Sequence, residues 1–553
     1  MRIDLIYLLV WILSYLLYPV WFLPNQNFTH SLSVFLFFTV IFIVMAKFVL
    51  PKIRRFDDSL PLKKILEFPK DKFLTGILAI TIITRIYFLF LPVYSVNIGD
   101  ELYHLAFPAL FFKVIPVSIE YCLRFLLLST LAASFVFRKK IVALFPKSFF
   151  SKYGKYLVLA VAVLLSAHFI FYYKIIDHFT LSAHPSLPGD ILRFPPLSRI
   201  IRFFVYSLFG VSEFTGRLQE FVFFILAQIL IYKTAQQLYS KNAARVSLIL
   251  FSFLPPLSYF SIKGAQSPSE MFFFIAIFYF FILWEKTRTP SYFVYAALMS
   301  GIGFMYRYTV LVAGIILALS FLTASHPLKK ANLNPELLVP LLFSVLLMIA
   351  PWFLLNYYFS MRIYSPKSFS LFAEGFVTAL KQFPLDSTWP VIIFLVLSLA
   401  YAAVNFKKKK TNIYLALWFF VYLLFISNDE SGCTRLLLPL YPPLILLAGH
   451  LAEKIPLKNE IVSFALLAYM FAISLFNPVS RGKYTLINAL KNDYPPINLT
   501  AKDIDNLPGN SKIALFDMDD SYFTFYLKNK NLSLIHISEP TRPLYISYAV
   551  FCL

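Results

Sequence analysis

RFPPLSRIIRFFVYSLFGVSEFTGRLQEF, residues 193–221, carries the pattern that decides the fold. Pro195 and Pro196 end an extended loop and can open a helix, because proline costs little in the first helical turn. The following SRIIRFFVYSLFG places arginines on an otherwise apolar helix, a pattern that suits the plane of a membrane interface. Gly210 breaks this helix, and Arg217 then stands at the mouth of the next apolar segment. A cation at that depth is well placed for a lipid phosphate.

The composition is that of a membrane protein. Of the 553 residues, 59% are hydrophobic and only 14% are charged, whereas a soluble domain has about 25% charged residues. The net charge of +22 falls largely in short loops between apolar runs, where basic residues orient the chain. This placement argues against a nucleic-acid partner. The three cysteines are scattered along the sequence, so they indicate neither a disulfide framework nor a metal cluster.

The apolar runs predict an all-α polytopic protein with about 13–15 transmembrane helices. The first run, 5–23, lacks a small-residue cleavage site and is interpreted as a retained anchor. The predicted spans lie near 4–22, 31–50, 74–92, 119–137, 155–173, 219–235, 245–261, 271–285, 292–305, 308–324, 337–358, 389–405, 412–427, 435–451 and 460–476.

The basic loops predict a cytoplasmic N-terminus in the plasma membrane. Lysines and arginines cluster at 47–64, 138–152, 329–330 and 407–410, and all four clusters fall on one side under this orientation. The opposite side then receives the loops 99–104, 174–199, 262–270, 359–388 and 427–435, together with the tail. These loops carry sparse and often acidic charge, so the functional surface is expected to be extracytoplasmic.

Four regions follow from this organisation. Residues 1–150 form an N-terminal transmembrane module of about four spans, and residues 151–476 form a transmembrane core with interfacial helices near 195–210. Residues 477–533 are more polar and predict a small, truncated extracytoplasmic α/β domain. Residues 534–553 resemble translated sequencing-adapter read-through and are set aside as non-native.

The order of motifs resembles the GT-C superfamily of membrane glycosyltransferases, in particular the protein O-mannosyltransferase and aminoarabinose transferase group (glycosyltransferase family 39-like). That group has a His/Lys-Pro-Pro-Leu motif, an interfacial helix ending in Phe-Gly, and an Arg-Leu pair. The matching elements in this chain are FPPL, SLFG, FTGRL, NAARV at 242–246, FLPPLSYFS at 253–261, Glu270 and RLLLPLYPPL at 435–444. One departure is Phe194, which replaces the usual His or Lys before Pro-Pro.

The resemblance implies an integral membrane glycosyltransferase. Its donor is a sugar on a polyprenyl phosphate bound from the membrane lipids, and its acceptor is a lipid, glycan or protein at the extracytoplasmic face. The family uses an acidic residue on the first large external loop as a general base or to orient the acceptor hydroxyl. Since no second nucleophile is evident, we expect inversion by a single displacement.

Two acidic positions compete for this role. Asp100 and Glu101 match the family's Asp-Glu dipeptide, but the predicted spans 119–137 and 155–173 separate them from FPPL. Asp177 leaves a predicted span directly and shares its loop with FPPL, although His178 stands where the family has Glu. The topology favours Asp177, while the local sequence favours Asp100; of the two, Asp177 is placed narrowly first.

The remaining candidates have narrower roles. Glu270 is a supporting acid on the 262–270 loop. The donor phosphate is expected to contact arginines at span ends or within an apolar stretch, namely Arg217, Arg307 and Arg435. An alternative for Arg217 and Arg435 is an ordinary anchoring role at the membrane surface. Residues of the 174–199 loop that are candidates to face the acceptor are His178, Asp190, Pro195 and Pro196.

No cofactor is required by this chemistry. His178 and His184 lie six residues apart near two aspartates, but a flexible proline-containing loop is weak metal-ligand geometry, so a divalent metal is not supported. The rival functions are a lipid-linked glycan flippase, which would show internal repeats, and a glycan polymerase or ligase. The latter concentrates arginines in one late loop, whereas Arg362 is the single arginine of 359–388.

Overall fold

The protein is a bundle of α-helices. The computed structural model describes residues 71–91, 195, 197–323, 341, 345, 369–405, 411–427, 434–453, 459–476, 485–487, 506, 513–514 and 551–552. The helices of the first half are α1 (Lys72–Leu89), α2 (Leu197–Phe209), α3 (Glu213–Leu238), α4 (Lys241–Phe253), α5 (Pro255–Phe260), α6 (Ser267–Thr287), α7 (Pro290–Tyr306) and α8 (Leu311–Thr323). A 3-10 turn, Tyr308–Val310, separates α7 from α8.

The second half continues the bundle. Its helices are α9 (Phe369–Asp386), α10 (Trp389–Val404), α11 (Thr411–Ile426), α12 (Thr434–Leu437), α13 (Tyr441–Ala452) and α14 (Asn459–Leu475). A 3-10 turn, Leu438–Leu440, joins α12 to α13. Two two-residue strands, β1 (Ile513–Ala514) and β2 (Phe551–Cys552), pair antiparallel.

Several described helices are long and apolar enough to cross a membrane. They are Lys72–Leu89, Glu213–Leu238, Ser267–Thr287 and the combined stretch Thr434–Ala452. The expectation of an all-α polytopic membrane protein is thereby confirmed. The short strand pair is not an α/β domain, so the predicted tail domain stays a prediction, as does the number of spans in the whole chain.

Local sequence explains where several helices begin and end. Asp71 starts α1, because its side chain accepts a hydrogen bond from the Phe73 N–H at 2.9 Å. Gly210 ends α2 with a φ of 82°, a left-handed conformation that glycine adopts without steric cost. Ser212 and Thr215 then form a capping box that starts α3. Residues 210–215 therefore determine the turn between α2 and α3.

Proline breaks one predicted span into two helices. The span expected at 245–261 is α4 followed by α5, with Leu254 extended between them at ψ 128°. The residue before a proline is pushed out of the helical region, and Pro255 and Pro256 also lack the N–H groups that would continue the helix. In addition, α9 occupies most of the 359–388 segment that was expected to be a loop.

The central layer of the bundle is α3 packed on α6, with α7 against α6 and α4 against α3 and α13. Its core is rich in aromatic side chains such as Phe224, Phe251 and Trp418. Helix α1 packs on α3 and α4, so this part of the 1–150 region contacts the predicted core. The domain division at residue 150 stays a prediction.

Candidate functional site

Glu270 lies in a buried cluster of charged and hydroxyl groups at one end of the bundle. This end, called the site end, is where α3 and α6 begin and α1 and α7 end. The Glu270 side chain is in the first turn of α6 and has no exposed surface. Its Oε2 lies 3.1 Å from Arg307 Nη1, and its Oε1 accepts hydrogen bonds from the hydroxyls of Thr309 and Tyr422, the latter at 3.3 Å.

A second buried carboxylate, Glu220, lies beside the first. Its Oε2 accepts the Ser269 N–H at 3.2 Å, its Oε1 accepts the Tyr306 hydroxyl, and Arg202 Nη2 lies 3.7 Å from Oε1. Ser269 and Tyr306 are the residues directly before Glu270 and Arg307. The two carboxylates are thus held by neighbouring positions of the same two segments.

The local fold explains why these segments meet. Helix α7 ends at Tyr306, and Arg307 is extended with φ −150° and ψ 126°. This break turns the Arg307 side chain toward the first turn of α6. Gly303 permits the close approach, since a Cβ at that position would lie 2.6 Å from Val310 Cγ1 and 2.8 Å from Phe273 Cγ.

The arginines of α2 face the protein, and the placement of this helix in the membrane interface stays a prediction. Arg199 and Arg202 are both buried. Arg202 donates to the Gly264 carbonyl at 3.0 Å, in addition to its contact with Glu220. Arginine at positions 199 and 202 falls on one face of a helix, and that face packs against the 262–266 turn and α3.

The predicted phosphate contacts have different surroundings. Arg307 is in the cluster, and Arg435 precedes Leu436, whose carbonyl accepts a hydrogen bond from the Tyr422 hydroxyl at 3.1 Å. Arg217 is buried and donates to the backbone carbonyls of Phe88, Leu89 and Leu91 at the end of α1, where the last carbonyls of a helix have free acceptor capacity. The described contacts of Arg217 therefore tie α1 to α3, while its predicted contact with donor phosphate stays a prediction.

The remaining candidates lie on the 99–104 and 174–199 segments. Pro195 is buried two residues before α2. Residues outside the described part of the chain are Asp100, Glu101, Asp177, His178, Asp190 and Pro196. Within the described part, no three His, Cys, Asp or Glu side chains lie close enough together to share a metal ion.

Sequence reasoning missed Glu220, Arg202 and Arg85 as structurally important charges. Each lies within or beside a predicted apolar helix, and an ionisable residue inside a membrane span is itself a signal of a specific role. Arg85 has no exposed surface and donates to the Ser252 carbonyl and, at 2.8 Å, to the Ser258 hydroxyl. Because Pro256 cannot donate to the Ser252 carbonyl, Arg85 and the Ser258 hydroxyl, the latter at 3.1 Å, donate to it instead.

The cluster combines arginines, which can bind an anion, with glutamates that neutralise their charge. A guanidinium has five N–H donors, so one arginine can bind a carboxylate and a phosphate at once. The carboxylates of Glu220 and Glu270 are fully buried, and within the described residues they contact protein groups rather than an open surface. Their geometry suits holding arginines in place more than direct contact with an acceptor.

The comparisons with known proteins agree with the motif order. Residues 193–354 match the family model for dolichyl-phosphate-mannose-protein mannosyltransferase. A search of curated protein sequences gave no match. The matched segment contains Arg202, Glu220, Glu270 and Arg307.

Solved structures with similar folds include ArnT from Cupriavidus metallidurans. The form bound to undecaprenyl phosphate is 15% identical over 63% of this chain and 76% of that chain, with a TM-score of 0.45. The apo form has the same identity and coverage and a TM-score of 0.47. An Archaeoglobus fulgidus oligosaccharyltransferase is 12% identical over 63% of this chain and 54% of its own, with a TM-score of 0.41.

The resemblance predicted from the motifs is confirmed by the family match: over residues 193–354, this chain is similar to the dolichyl-phosphate-mannose-protein mannosyltransferases of the GT-C superfamily of membrane glycosyltransferases.

Proposed function

We propose that this protein transfers one sugar from a polyprenyl-phosphate carrier to a lipid, glycan or protein acceptor at the extracytoplasmic face of the membrane. The observation that carries the proposal is the match of 193–354 to a family of lipid-phosphate-dependent mannosyltransferases. The same segment contains the buried pair Glu270–Arg307. Burying charged groups in a membrane helix bundle costs free energy, so such a pair indicates a specific role.

The reaction is a single displacement at the anomeric carbon. The acceptor oxygen forms the new bond to this carbon, the bond to the phosphate oxygen breaks, and the lipid phosphate leaves with the electron pair. The proton of the acceptor hydroxyl passes to a carboxylate acting as general base. Arginines near the departing phosphate stabilise the charge that develops on it.

Arg307 and Arg435 are the arginines that we assign to this phosphate. Arg307 is held by Glu270 at 3.1 Å, so its guanidinium is preorganised before the donor arrives. Preorganised charge is worth most where it meets charge that develops in the transition state. Glu270 then acts as the supporting acid that positions Arg307.

The base is Asp100 or Asp177, and the position of α1 supports Asp100. Arg217 holds the end of α1 at the site end of the bundle, and Asp100 follows Leu91 by nine residues. We therefore prefer Asp100 as the base, because a tether of nine residues reaches at most about 30 Å. Asp177 precedes Pro195 by eighteen residues, a tether twice as long.

Sugar transfer in membranes tests the proposal. Membranes containing the protein are incubated with a polyprenyl-phosphate-linked sugar, and Asp100→Asn is compared with Asp177→Asn. Loss of a general base lowers the rate by about 100-fold or more, so we expect this loss in Asp100→Asn and near-normal transfer in Asp177→Asn. The reverse result would assign the base to Asp177. Full activity in both variants would refute the mechanism.

A further inference from the structure

Glu220 is a buried acid to which neither the motifs nor the proposed chemistry gives a role. It lies two turns into α3, and its carboxylate has no exposed surface. Its three described partners come from three separate elements: the Ser269 N–H of α6, the Tyr306 hydroxyl of α7 and the Arg202 guanidinium of α2. One carboxylate therefore joins four helices at the site end.

The contact with Ser269 has a specific physical basis. The first N–H groups of a helix have no partner within the helix, and Ser269 is in the first turn of α6. The partial positive charge of a helix N-terminus also favours a carboxylate. Glu220 thus caps α6 from a neighbouring helix and fixes the backbone from which the Glu270 side chain projects.

The contact with Tyr306 acts on the other half of the ion pair. The Tyr306 ring is fully buried and its hydroxyl also receives a hydrogen bond from Gln219. Since Arg307 is the next residue and lies in extended backbone between α7 and the 3-10 turn, the anchored Tyr306 limits where the Arg307 guanidinium can point. Both members of the Glu270–Arg307 pair are consequently placed by Glu220.

We propose that Glu220 is a positioning residue for the transfer reaction, which fixes the Arg307 guanidinium against the departing lipid phosphate through its contacts with Ser269 and Tyr306. The role in transfer rests on the function proposed above. The placement of Arg307 by Glu220 is a property of the fold and is tested separately.

The first experiment measures coupling in stability, without any substrate. The midpoint of thermal unfolding is determined in detergent for wild type, Glu220→Gln, Arg307→Met and the double variant. We expect the combined shift to differ from the sum of the single shifts, because residues in one hydrogen-bonded network are not additive. The matched control is Gln228→Ala with Arg307→Met, since Gln228 is a buried polar residue of α3 that bonds Thr81 and Ser252 instead. If the shift in unfolding midpoint of the Glu220→Gln, Arg307→Met double variant equals the sum of the two single shifts, the proposal is overturned.

The second experiment measures kcat and donor KM for the same proteins. An interaction made mainly in the transition state lowers kcat more than it changes KM, and a small misplacement can cost about 100-fold in rate. We expect a fall in kcat for Glu220→Gln of about 10–100-fold with donor KM nearly unchanged, and a normal kcat for Gln228→Ala. A normal kcat in Glu220→Gln would contradict its role in transfer.

A double variant that removes both buried charges provides a second test of the kcat prediction in case the single variants fold poorly. Arg202→Met combined with Glu220→Leu removes both buried charges, which is better tolerated than leaving one unpaired. We expect this double variant to fold and to show the same fall in kcat, and wild-type kcat in it would overturn the proposal. If wild type itself transfers no sugar while the stability coupling is present, the proposed function fails and the placement of Arg307 by Glu220 stands.

Discussion

At the scale of single residues, the two buried carboxylates at the site end each have an arginine and hydrogen-bond donors as partners. Glu270 has Arg307 at 3.1 Å on one oxygen and two hydroxyls on the other. Glu220 has Arg202 at 3.7 Å, a backbone N–H and the Tyr306 hydroxyl. A buried carboxylate needs such partners, because an opposite charge and hydrogen bonds offset part of the free energy lost when it is removed from water.

The Glu270–Arg307 pair is testable by removing one charge. Glu270→Gln keeps an oxygen for Thr309 and Tyr422 but leaves Arg307 without its buried counter-charge. Breaking such a pair costs about 3 kcal/mol or more, so we expect a lower free energy of unfolding together with reduced sugar transfer. Both are measured on the purified protein, by thermal unfolding and by transfer from a polyprenyl-phosphate donor.

The control removes both charges. Glu270→Leu combined with Arg307→Met leaves no buried charge unpaired, so it should recover most of the lost stability. It should not recover transfer, because the arginine assigned to the phosphate is absent. Equal stability of Glu270→Gln and wild type would mean that the pair contributes nothing to the fold.

Asp71 gives a prediction of pH dependence at the end of the bundle opposite the site end. Partial burial alone would raise the pKa of the Asp71 carboxyl, but hydrogen bonds from Tyr232 and the Phe73 N–H, together with Lys241 at 3.2 Å, hold this pKa below its usual value. The unfolded-state pKa of an aspartate is about 3.9. Because the folded-state pKa is lower, Asp71 stabilises the fold above the unfolded value, and this stabilisation is lost as the pH falls through the folded value.

The measurement compares wild type with Asp71→Asn. We expect the difference in unfolding midpoint between them to be constant near neutral pH and to narrow below about pH 4. In a Tyr232→Phe background, which lacks one hydrogen bond to the carboxylate, the folded-state pKa is less depressed, so the narrowing should be smaller and should be complete at a higher pH. A difference that is the same from pH 7 to pH 3 would contradict this assignment.

At the scale of elements, the breaks between helices build the site more than the helices do. The Pro255–Pro256 break sends the chain from α4 through α5 into the 262–266 turn, and Arg85 satisfies the carbonyl that the break exposes. The Arg307 break between α7 and α8 brings a cation to Glu270. Both breaks lie in stretches that are apolar enough to continue as helix, and both supply contacts to the first turn of α6.

Gly303 allows α7 to pack closely against the turn that follows Arg307. A Cβ at Gly303 would lie 2.6 Å from Val310 Cγ1, and overpacking of this kind typically costs about 1–3 kcal/mol. We expect Gly303→Ala to lower the unfolding midpoint and to reduce transfer, since the displaced turn carries Arg307.

Gly314 provides the matched control for Gly303. A Cβ at Gly314 would meet Ser300 at 3.5 Å, an ordinary contact distance. Alanine is favoured over glycine in a helix by about 0.5–1 kcal/mol, so Gly314→Ala should be neutral or slightly stabilising. Equal effects of the two substitutions would show that the close approach at Gly303 is unimportant.

At the scale of the whole molecule, the two ends of the bundle have different chemistry. One end has the Asp71–Lys241 pair and the turn between α3 and α4, and the other has the buried carboxylates and the turn between α2 and α3. The distribution of basic loops predicts that the first end is cytoplasmic and the site end extracytoplasmic.

Cysteine labelling tests this orientation. In a background without Cys122, Cys433 and Cys552, a single cysteine replaces Lys241, whose side chain is 54% exposed, or Val211, which is 38% exposed at the site end. A membrane-impermeant maleimide should label position 211 in intact cells and position 241 only after permeabilisation. Labelling in the opposite pattern would reverse the predicted topology.

The lengths of apolar runs predicted most described helices well. The predicted spans 292–305 and 308–324 correspond to α7 and α8 (290–306 and 311–323), because Pro290 and Arg307 mark the helix boundaries. The helix at 369–386 was missed because its composition is mixed, and amphipathic segments give a weak hydropathy signal. The break at 254 was missed because hydropathy does not register the two prolines.

The candidate site was predicted only in part. Glu270 was predicted from the order of family motifs and Arg307 from its place in an apolar stretch, and they pair as an acid and a cation at 3.1 Å. Glu220 was passed over because it lies inside the start of a predicted span, and its partner Tyr306 is 86 residues away in the chain. No local pattern encodes a contact over that separation.

The sequence by itself determined the class of protein, since apolar runs of membrane length exclude a soluble fold and the order of short motifs from FPPL onward indicates a GT-C glycosyltransferase. Only the tertiary structure decided which charges meet. The sequence of α2 shows that Arg199 and Arg202 share one face of the helix, but the pattern alone could not tell whether that face meets the membrane surface or the protein, and so it did not predict that Arg202 turns inward to Glu220. That choice was made by the packing of α2, α3, α6 and α7 around the first turn of α6.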